Sequence, residues 1–157
     1  MGIKNFQGNQ VGDANKKAEK ITVKDCMSKN MVLFTKDQSV IEVVEKLIKH
    51  RISGGPVVDK HKHVIGVISE GDCIKQISES RYYNMPMEDT SIEKYMSKEV
   101  DTMSPEINLF DAANRFLVSK RRRFPVVEND KIIGIVSQKD ILRTALYLKG
   151  SSWKYGV

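Results

Sequence analysis

Eleven residues, Val64–Ile74 (VIGVISEGDCI), return as Ile132–Leu142 (IIGIVSQKDIL), and this internal repeat constrains the fold more than any other feature. Both copies run apolar pair, glycine, apolar pair, serine, two variable residues, aspartate. The apolar run suits a buried strand ending at the serine. Ser-x-x-Asp is the spacing of a helix cap: the hydroxyl accepts a free backbone N–H, and the early acid suits the positive end of the helix dipole. Each copy therefore predicts a strand feeding a helix. The repeat reaches further out: Met27-Ser28-Lys29 matches Met96-Ser97-Lys98, and Pro56-Val57-Val58 matches Pro125-Val126-Val127. The offset is 69 up to the proline and 68 beyond it, as one deletion before the second strand would produce.

The repeat unit reads β-α-β-β-α. A short extended piece, Met31 to Thr35 or Val100 to Ser104, leads to a helix capped by Ser39 or Asn108. Val40, Ile41, Val43, Val44, Leu47 and Ile48 fall on one helical face, as do Leu109, Phe110, Ala112, Ala113, Phe116 and Leu117 in the twin. Pro56 or Pro125 opens a strand. A polar loop, Asp59 to His63 or Glu128 to Lys131, turns it into the next strand as a hairpin. In the closing helix Ile74 and Ile77, or Ile141, Leu142, Ala145 and Leu146, are expected to face inward. Two such motifs, each marginal alone, gain most by packing sheet to sheet with pseudo-twofold symmetry, so the fold class is α+β. The expected organisation is a flexible N-terminal arm (1–20), motif 1 (21–78), a linker (79–90), motif 2 (91–148) and a C-terminal tail (149–157). Tyr82, Tyr83, Met85 and Met87 make the linker apolar enough to pack on something, and the tail carries Trp153.

Composition narrows the class. A chain of 157 residues, 40% hydrophobic and 29% charged, has room for one domain or two small ones sharing a core. No apolar run is long enough to cross a bilayer, no secretory h-region is visible, and Phe6 stands where a myristoylation signal wants Ser or Thr. Two cysteines, Cys26 and Cys73, suit a reducing cytoplasm and read as small packed hydrophobes. A net charge of +6 favours phosphate-bearing partners without choosing among nucleic acid, anionic surfaces and small molecules. The helix-opening Asp could accept hydrogen bonds from two neighbouring hydroxyls, as on a ribose, beside N–H groups that attract phosphate. A capped helix with no ligand is the commoner use of that pattern.

The doubled pattern, V-x-D-x-M-S at Val23–Ser28 answered by I-x-K-x-M-S at Ile92–Ser97, then an amphipathic helix, P-V-V and G-h-h-S-x-x-D-h (h apolar), resembles a tandem pair of cystathionine-β-synthase (CBS) domains, a Bateman module, over Ile21 to about Leu148. The resemblance implies a non-catalytic sensor that binds adenosine nucleotides (AMP, ADP or ATP) or a related adenosyl ligand such as S-adenosylmethionine and regulates a partner in trans. It also implies a homodimer paired through its helices. In the family each of two clefts between the repeats takes its ribose-binding Asp and nearby Ser from one copy and its adenine wall from the other. Carried over, one cleft uses Ile135, Ser137 and Asp140 with Ser28, Val32, Ile52, Ser53 and Pro56. The other uses Val67, Ser69 and Asp72 with Ser97, Asp101, Arg122, Arg123 and Pro125. The small Ile52-Ser53-Gly54-Gly55 segment makes the Asp140 cleft the cleaner adenine pocket. In the other, Arg121-Arg122-Arg123 suits phosphate, while Asp101 crowds a base.

Two rivals stand beside this reading. The Lys120–Arg123 run with the positive net charge suggests nucleic-acid binding, although no helix-turn-helix, zinc-finger or aromatic stacking pattern accompanies it. An enzyme would need a catalytic signature, and no P-loop, Gly-x-Ser-x-Gly or dinucleotide fingerprint occurs. His61-Lys62-His63 lacks further ligands at metal spacing and reads as exposed loop chemistry, so no metal site is expected.

Overall fold

The computed structural model describes residues 20–84 and 90–153, with side chains through 148. The N-terminal arm, the Met85 and Met87 part of the linker and the Trp153 side chain, on which expectations were placed, lie outside the described residues. The elements run α1 (Val23–Cys26), α2 (Val40–His50), β1 (Gly54–Val58), β2 (Val64–Ser69), α3 (Glu70–Tyr83), a 3-10 turn (Ile92–Lys94), α4 (Leu109–Ser119), β3 (Arg123–Glu128), β4 (Lys131–Ser137) and α5 (Gln138–Trp153). It is a mixed α+β architecture with two small sheets, β1–β2 and β3–β4.

The described chain forms two compact units. One holds residues 30–84, 90–101 and 129–132 and contains Asp72; the other holds 20–29, 102–128 and 133–153 and contains Asp140. The units do not follow the linear repeats. Met27-Ser28 sits on β4 in the Asp140 unit, and Met96-Ser97 sits on β2 in the Asp72 unit. Paired backbone bonds hold each join: Ser28 N–H to Ile135 O at 2.8 Å and Ile135 N–H to Ser28 O at 2.9 Å, then Val67 and Ser97 with both bonds at 2.9 Å. The repeated glycine makes the approach possible. A Cβ on Gly66 would lie 2.8 Å from Ser97 O, and one on Gly134 2.5 Å from Met27 Sδ.

Each core is a hairpin packed on a capped helix. In the Asp72 unit Val40, Val43 and Leu47 of α2 bury against Phe34, Val57, Ile68, Cys73, Ile92 and Met96. In the Asp140 unit Leu109, Ala112 and Phe116 of α4 join Val23, Met103, Phe124, Val126, Val136 and Ile141. The caps arise as the sequence suggests: Ser39 Oγ accepts from Glu42 N–H at 3.2 Å while Glu42 Oε2 accepts from Ser39 N–H at 2.8 Å, and Asn108 accepts from Asp111 N–H at 2.8 Å. Each such cap contributes about 1 kcal/mol.

Four expectations need correction. Pro56 and Pro125 lie third in their strands rather than first. The carbonyl of Pro56 and the N–H of Val58 face Phe34, and those of Pro125 and Val127 face Met103. The N–H that each proline lacks would point to that same outer edge, where only one bridging residue docks, so no hairpin bond is lost. The first helices bury a narrower stripe than expected: Ile48, Phe110 and Leu117 are exposed, because i, i+3, i+7 suffices to cover one hairpin. In the closing helices Ile74, Ile77, Leu142 and Leu146 face solvent, as does Ala145. Cys73, Gln76 and Ser80 take the inward stripe of α3, and Ile141 that of α5. Of the apolar linker residues, Tyr82 and Tyr83 are the last of α3, exposed and edge-to-face with each other.

Candidate functional site

The same device opens α3 and α5. Ser69 Oγ accepts from Asp72 N–H at 3.3 Å, and Asp72 Oδ2 accepts from Ser69 N–H and Ser69 Oγ, both at 2.9 Å. In the twin, Ser137 Oγ accepts from Asp140 N–H at 3.2 Å, and Asp140 Oδ2 accepts from Ser137 N–H at 2.8 Å and Ser137 Oγ at 2.9 Å. Each carboxylate therefore commits one oxygen to the cap, which fixes its rotamer and leaves Oδ1 for other work. Both aspartates are half-buried, so an approaching hydroxyl would meet a partly desolvated acceptor, where hydrogen bonds to charge are worth about 1.5–3 kcal/mol. Such an acceptor suits a vicinal diol.

The surroundings are built separately in each unit. Beside Asp140 stand Ser137, Ile135 with its bridged partner Ser28, and the half-buried Cys26. Burial pushes the Cys26 thiol up, a hydrogen bond with Thr144 opposes this, and the charges of Asp25 and Asp140 add to the rise. Gln138 ties the Arg121–Arg123 segment to the start of α5, its N–H donating to Arg122 O at 3.1 Å and its Nε2 to Arg121 O at 3.0 Å. Arg122 is exposed, Arg121 and Arg123 are half-buried, and Pro125 is buried in β3. Beside Asp72 stand Ser69 and Val67 with its bridged partner Ser97, and Glu70 N–H donates to Ser53 O at 2.9 Å. Val32 and Ile52 are half-buried against the same unit's core, Pro56 is buried in β1, and Asp101 is exposed. Burial also raises the Cys73 thiol, helped by Asp72 and Glu70.

So the structure brings together Ser28, Ile135, Ser137 and Asp140 in one unit, and Val67, Ser69, Asp72 and Ser97 in the other. Val32, Ile52, Ser53 and Pro56 belong with the second set's unit, and Arg122, Arg123 and Pro125 with the first's. The sequence reading missed Arg143, whose Nη1 lies 3.3 Å from Asp140 Oδ1. The Asp-x-x-Arg spacing on one helix was the available signal.

Asp59 caps the loop that carries His61 and His63: its Oδ1 accepts both of their backbone N–H groups at 2.8 and 2.9 Å, and its Oδ2 lies 2.9 Å from His63 Nδ1. Desolvation raises the Asp59 carboxyl, but the His63 and His61 hydrogen bonds outweigh it, so the group sits below its ordinary value. Among the described residues no group of three or more His, Cys, Asp or Glu side chains is arranged to hold a metal ion, and no helix is long and apolar enough to cross a membrane.

Comparison with known proteins decides the family. The pattern of the CBS domain matches twice, at residues 23–79 and 92–147. The chain belongs to the CBS domain family. Among CBS relatives, the chloroplastic CBSX1 of Arabidopsis thaliana is 34% identical over 72% of this chain and 58% of its own, and CBSX2 is 32% identical over 82% and 65%. An uncharacterized protein of Methanocaldococcus jannaschii, MJ1426, is 28% identical over 84% of this chain and 95% of its own. Solved CBS structures agree in fold. CBSX2 in complex with AMP superposes with a TM-score of 0.72 at 30% identity, covering 82% of this chain and 98% of that one. The CBS domain pair of MJ0100, in complex with 5-methylthioadenosine and S-adenosyl-L-methionine, gives 0.65 at 28%, covering 78% and 94%. This chain is thus a tandem CBS pair, and its two Ser–Asp caps are the equivalent ends of its two CBS motifs.

Proposed function

We propose that this CBS pair is a regulatory sensor that binds adenosine nucleotides, AMP, ADP or ATP, or a related adenosyl ligand, and acts on a partner protein in trans. The observation that carries the reading is the doubled cap, in which a half-buried aspartate is locked by its serine with one carboxylate oxygen turned to other use. Relatives whose solved structures hold AMP, or methylthioadenosine with S-adenosylmethionine, support the ligand class. Asp140 and Asp72 take the ribose hydroxyls, with Ser28, Ile135 and Ser137, or Val67, Ser69 and Ser97, alongside. Val32, Ile52, Ser53 and Pro56 are proposed as adenine contacts, and Arg122, Arg123 and Pro125 as contacts of a phosphate-bearing ligand. Ligand acts by favouring one arrangement of the protein over another, through differential affinity for the two.

The protein works as a homodimer in this reading. Ile74 and Ile77 on α3, 65% and 41% exposed, and Leu142 and Leu146 on α5, 67% and 72% exposed, are the apolar faces that support it. The two free thiols fit a cytoplasmic setting.

A thermal-shift series with AMP, ADP, ATP and S-adenosylmethionine, beside a short DNA duplex at two salt concentrations, tests the proposal. A ligand at about 100 times its dissociation constant adds about 2.7 kcal/mol of stability. Stabilisation by an adenosine compound that survives the higher salt is expected. Stabilisation by DNA alone, fading with salt, would replace this reading with nucleic-acid binding.

A further inference from the structure

The two caps are twins in geometry and differ in charge. Asp140 Oδ1 has a guanidinium beside it: Arg143, one turn along α5, places Nη1 at 3.3 Å, with its side chain 74% exposed and that of Asp140 14% exposed. The matching position on α3 is Lys75, and among the described residues no hydrogen bond or ion pair joins it to Asp72. The openings of the two helices deepen the contrast. α5 begins Gln138-Lys139 and is tied through Gln138 to the Arg121 and Arg122 carbonyls, whereas α3 begins Glu70-Gly71 and is tied to Ser53. One carboxylate has a guanidinium in contact. The other stands beside a second acid.

We propose that Arg143 sets the ligand class at Asp140, selecting adenosine ligands with an anionic 5′ substituent over those carrying a sulfonium. The proposal rests on the adenosyl reading above and adds a discrimination between its members. A ribose diol that takes Asp140 Oδ1 displaces Arg143 from that oxygen. The guanidinium is mostly in water and carries several rotatable bonds, so it can turn to a phosphate and hold it with two parallel N–H donors. A sulfonium ligand offers no such acceptor and brings a like charge to the same guanidinium. At Asp72 the matching side chain is Lys75, a point charge without two parallel donors and, among the described residues, without a contact to the carboxylate, and the neighbouring Glu70 carries no penalty for a cation. Within one chain, the Asp140 cap thus favours nucleotides and the Asp72 cap tolerates the sulfonium.

Calorimetric titration with AMP and with S-adenosylmethionine decides it. In an Asp72→Asn background, which keeps the cap oxygen and leaves Asp140 as the carboxylate under study, Arg143→Gln is expected to weaken AMP about 3- to 10-fold, as loss of one charge-assisted contact does. It should leave S-adenosylmethionine unchanged or tighter and flatten the salt dependence of AMP binding. Arg143→Lys should restore the charge but only part of the AMP affinity. In the otherwise unaltered chain, Lys75→Arg should raise the preference for AMP, which keeps the test available if the Asp72 variant folds poorly. An AMP preference unchanged by Arg143→Gln, or a loss equal for both ligands, overturns the selection by Arg143 while leaving the adenosyl reading intact. Failure of the unaltered protein to bind either compound overturns both.

Discussion

Replacing Gly66 by alanine probes the join between each Met-Ser segment and its hairpin. The new methyl would stand 2.8 Å from Ser97 O and 3.0 Å from Met96 Sδ, where ordinary contact needs about 3.4 Å or more. Ser97 O is backbone and already accepts from Val67 N–H at 2.9 Å, so it can yield only by lengthening that bond and its return partner from Ser97 N–H to Val67 O. Two weakened backbone bonds at about 0.5–1.5 kcal/mol each, with disturbance of the buried Met96, put the cost at about 2–3 kcal/mol. For a chain of this size that lowers the melting midpoint by about 4–12 °C. Gly134→Ala is the internal control. Its worst contact, 2.5 Å, is with Met27 Sδ, the movable end of a half-buried side chain, and its backbone contact with Ser28 O is a milder 3.0 Å. Its cost should be smaller, about 1–2 kcal/mol. Urea and thermal unfolding of both variants read the order directly. A Gly66→Ala variant as stable as the parent, or less harmed than Gly134→Ala, would refute the close approach as the reason these glycines recur.

The left-handed C-caps Arg51 (φ 53°) and Lys120 (φ 55°) hold β-carbons where glycine is at ease, so Lys120→Gly should raise stability by about 0.5–1 kcal/mol in urea melts. Both thiols sit above their ordinary value of 9.0, Cys26 and Cys73 chiefly through burial. A raised folded value means stability that is present below pH 9.0 and lost as pH climbs through the folded value. The double variant Cys26→Ala, Cys73→Ala should therefore show a flatter alkaline decline in melting temperature than the parent. Ile77→Glu with Leu146→Glu should leave the melt within about 0.5 kcal/mol, since both sites are exposed, and should shift the sedimentation of a homodimer to that of a monomer.

What the sequence disclosed was chiefly local. Ser39, Asn108, Ser69 and Ser137 cap the helices expected of them because a cap needs only residues three apart. The hairpins and the Asp59–His63 loop were legible for the same reason. The crossed placement of Met27-Ser28 and Met96-Ser97 followed from the family resemblance and from no periodicity, because neither the Ser28–Ile135 bridge, over a hundred residues long, nor the shorter Val67–Ser97 bridge leaves a period in the chain. The recurrence of Met-Ser with a glycine in each hairpin was its one trace. Ile74, Ile77, Leu142 and Leu146 misled because apolar spacing marks a face without saying what covers it, and Cys73, Gln76 and Ser80 showed that a small and partly polar stripe can be the inward one. Arg143 left no distinct signal because an acid and a base three apart are ordinary neighbours on an exposed helix face.

The central claim, that the capped aspartates bind an adenosyl ligand, meets its most direct test in isothermal titration of AMP into the parent and into the Asp72→Asn, Asp140→Asn double variant. Asparagine keeps a carbonyl oxygen for the serine N–H and turns a donor where the diol needs an acceptor, so the fold should persist while binding weakens about 10- to 100-fold. Saturable binding by the parent and its loss in a variant with an unchanged melt is the predicted result. Equal affinity in the two proteins would contradict the account.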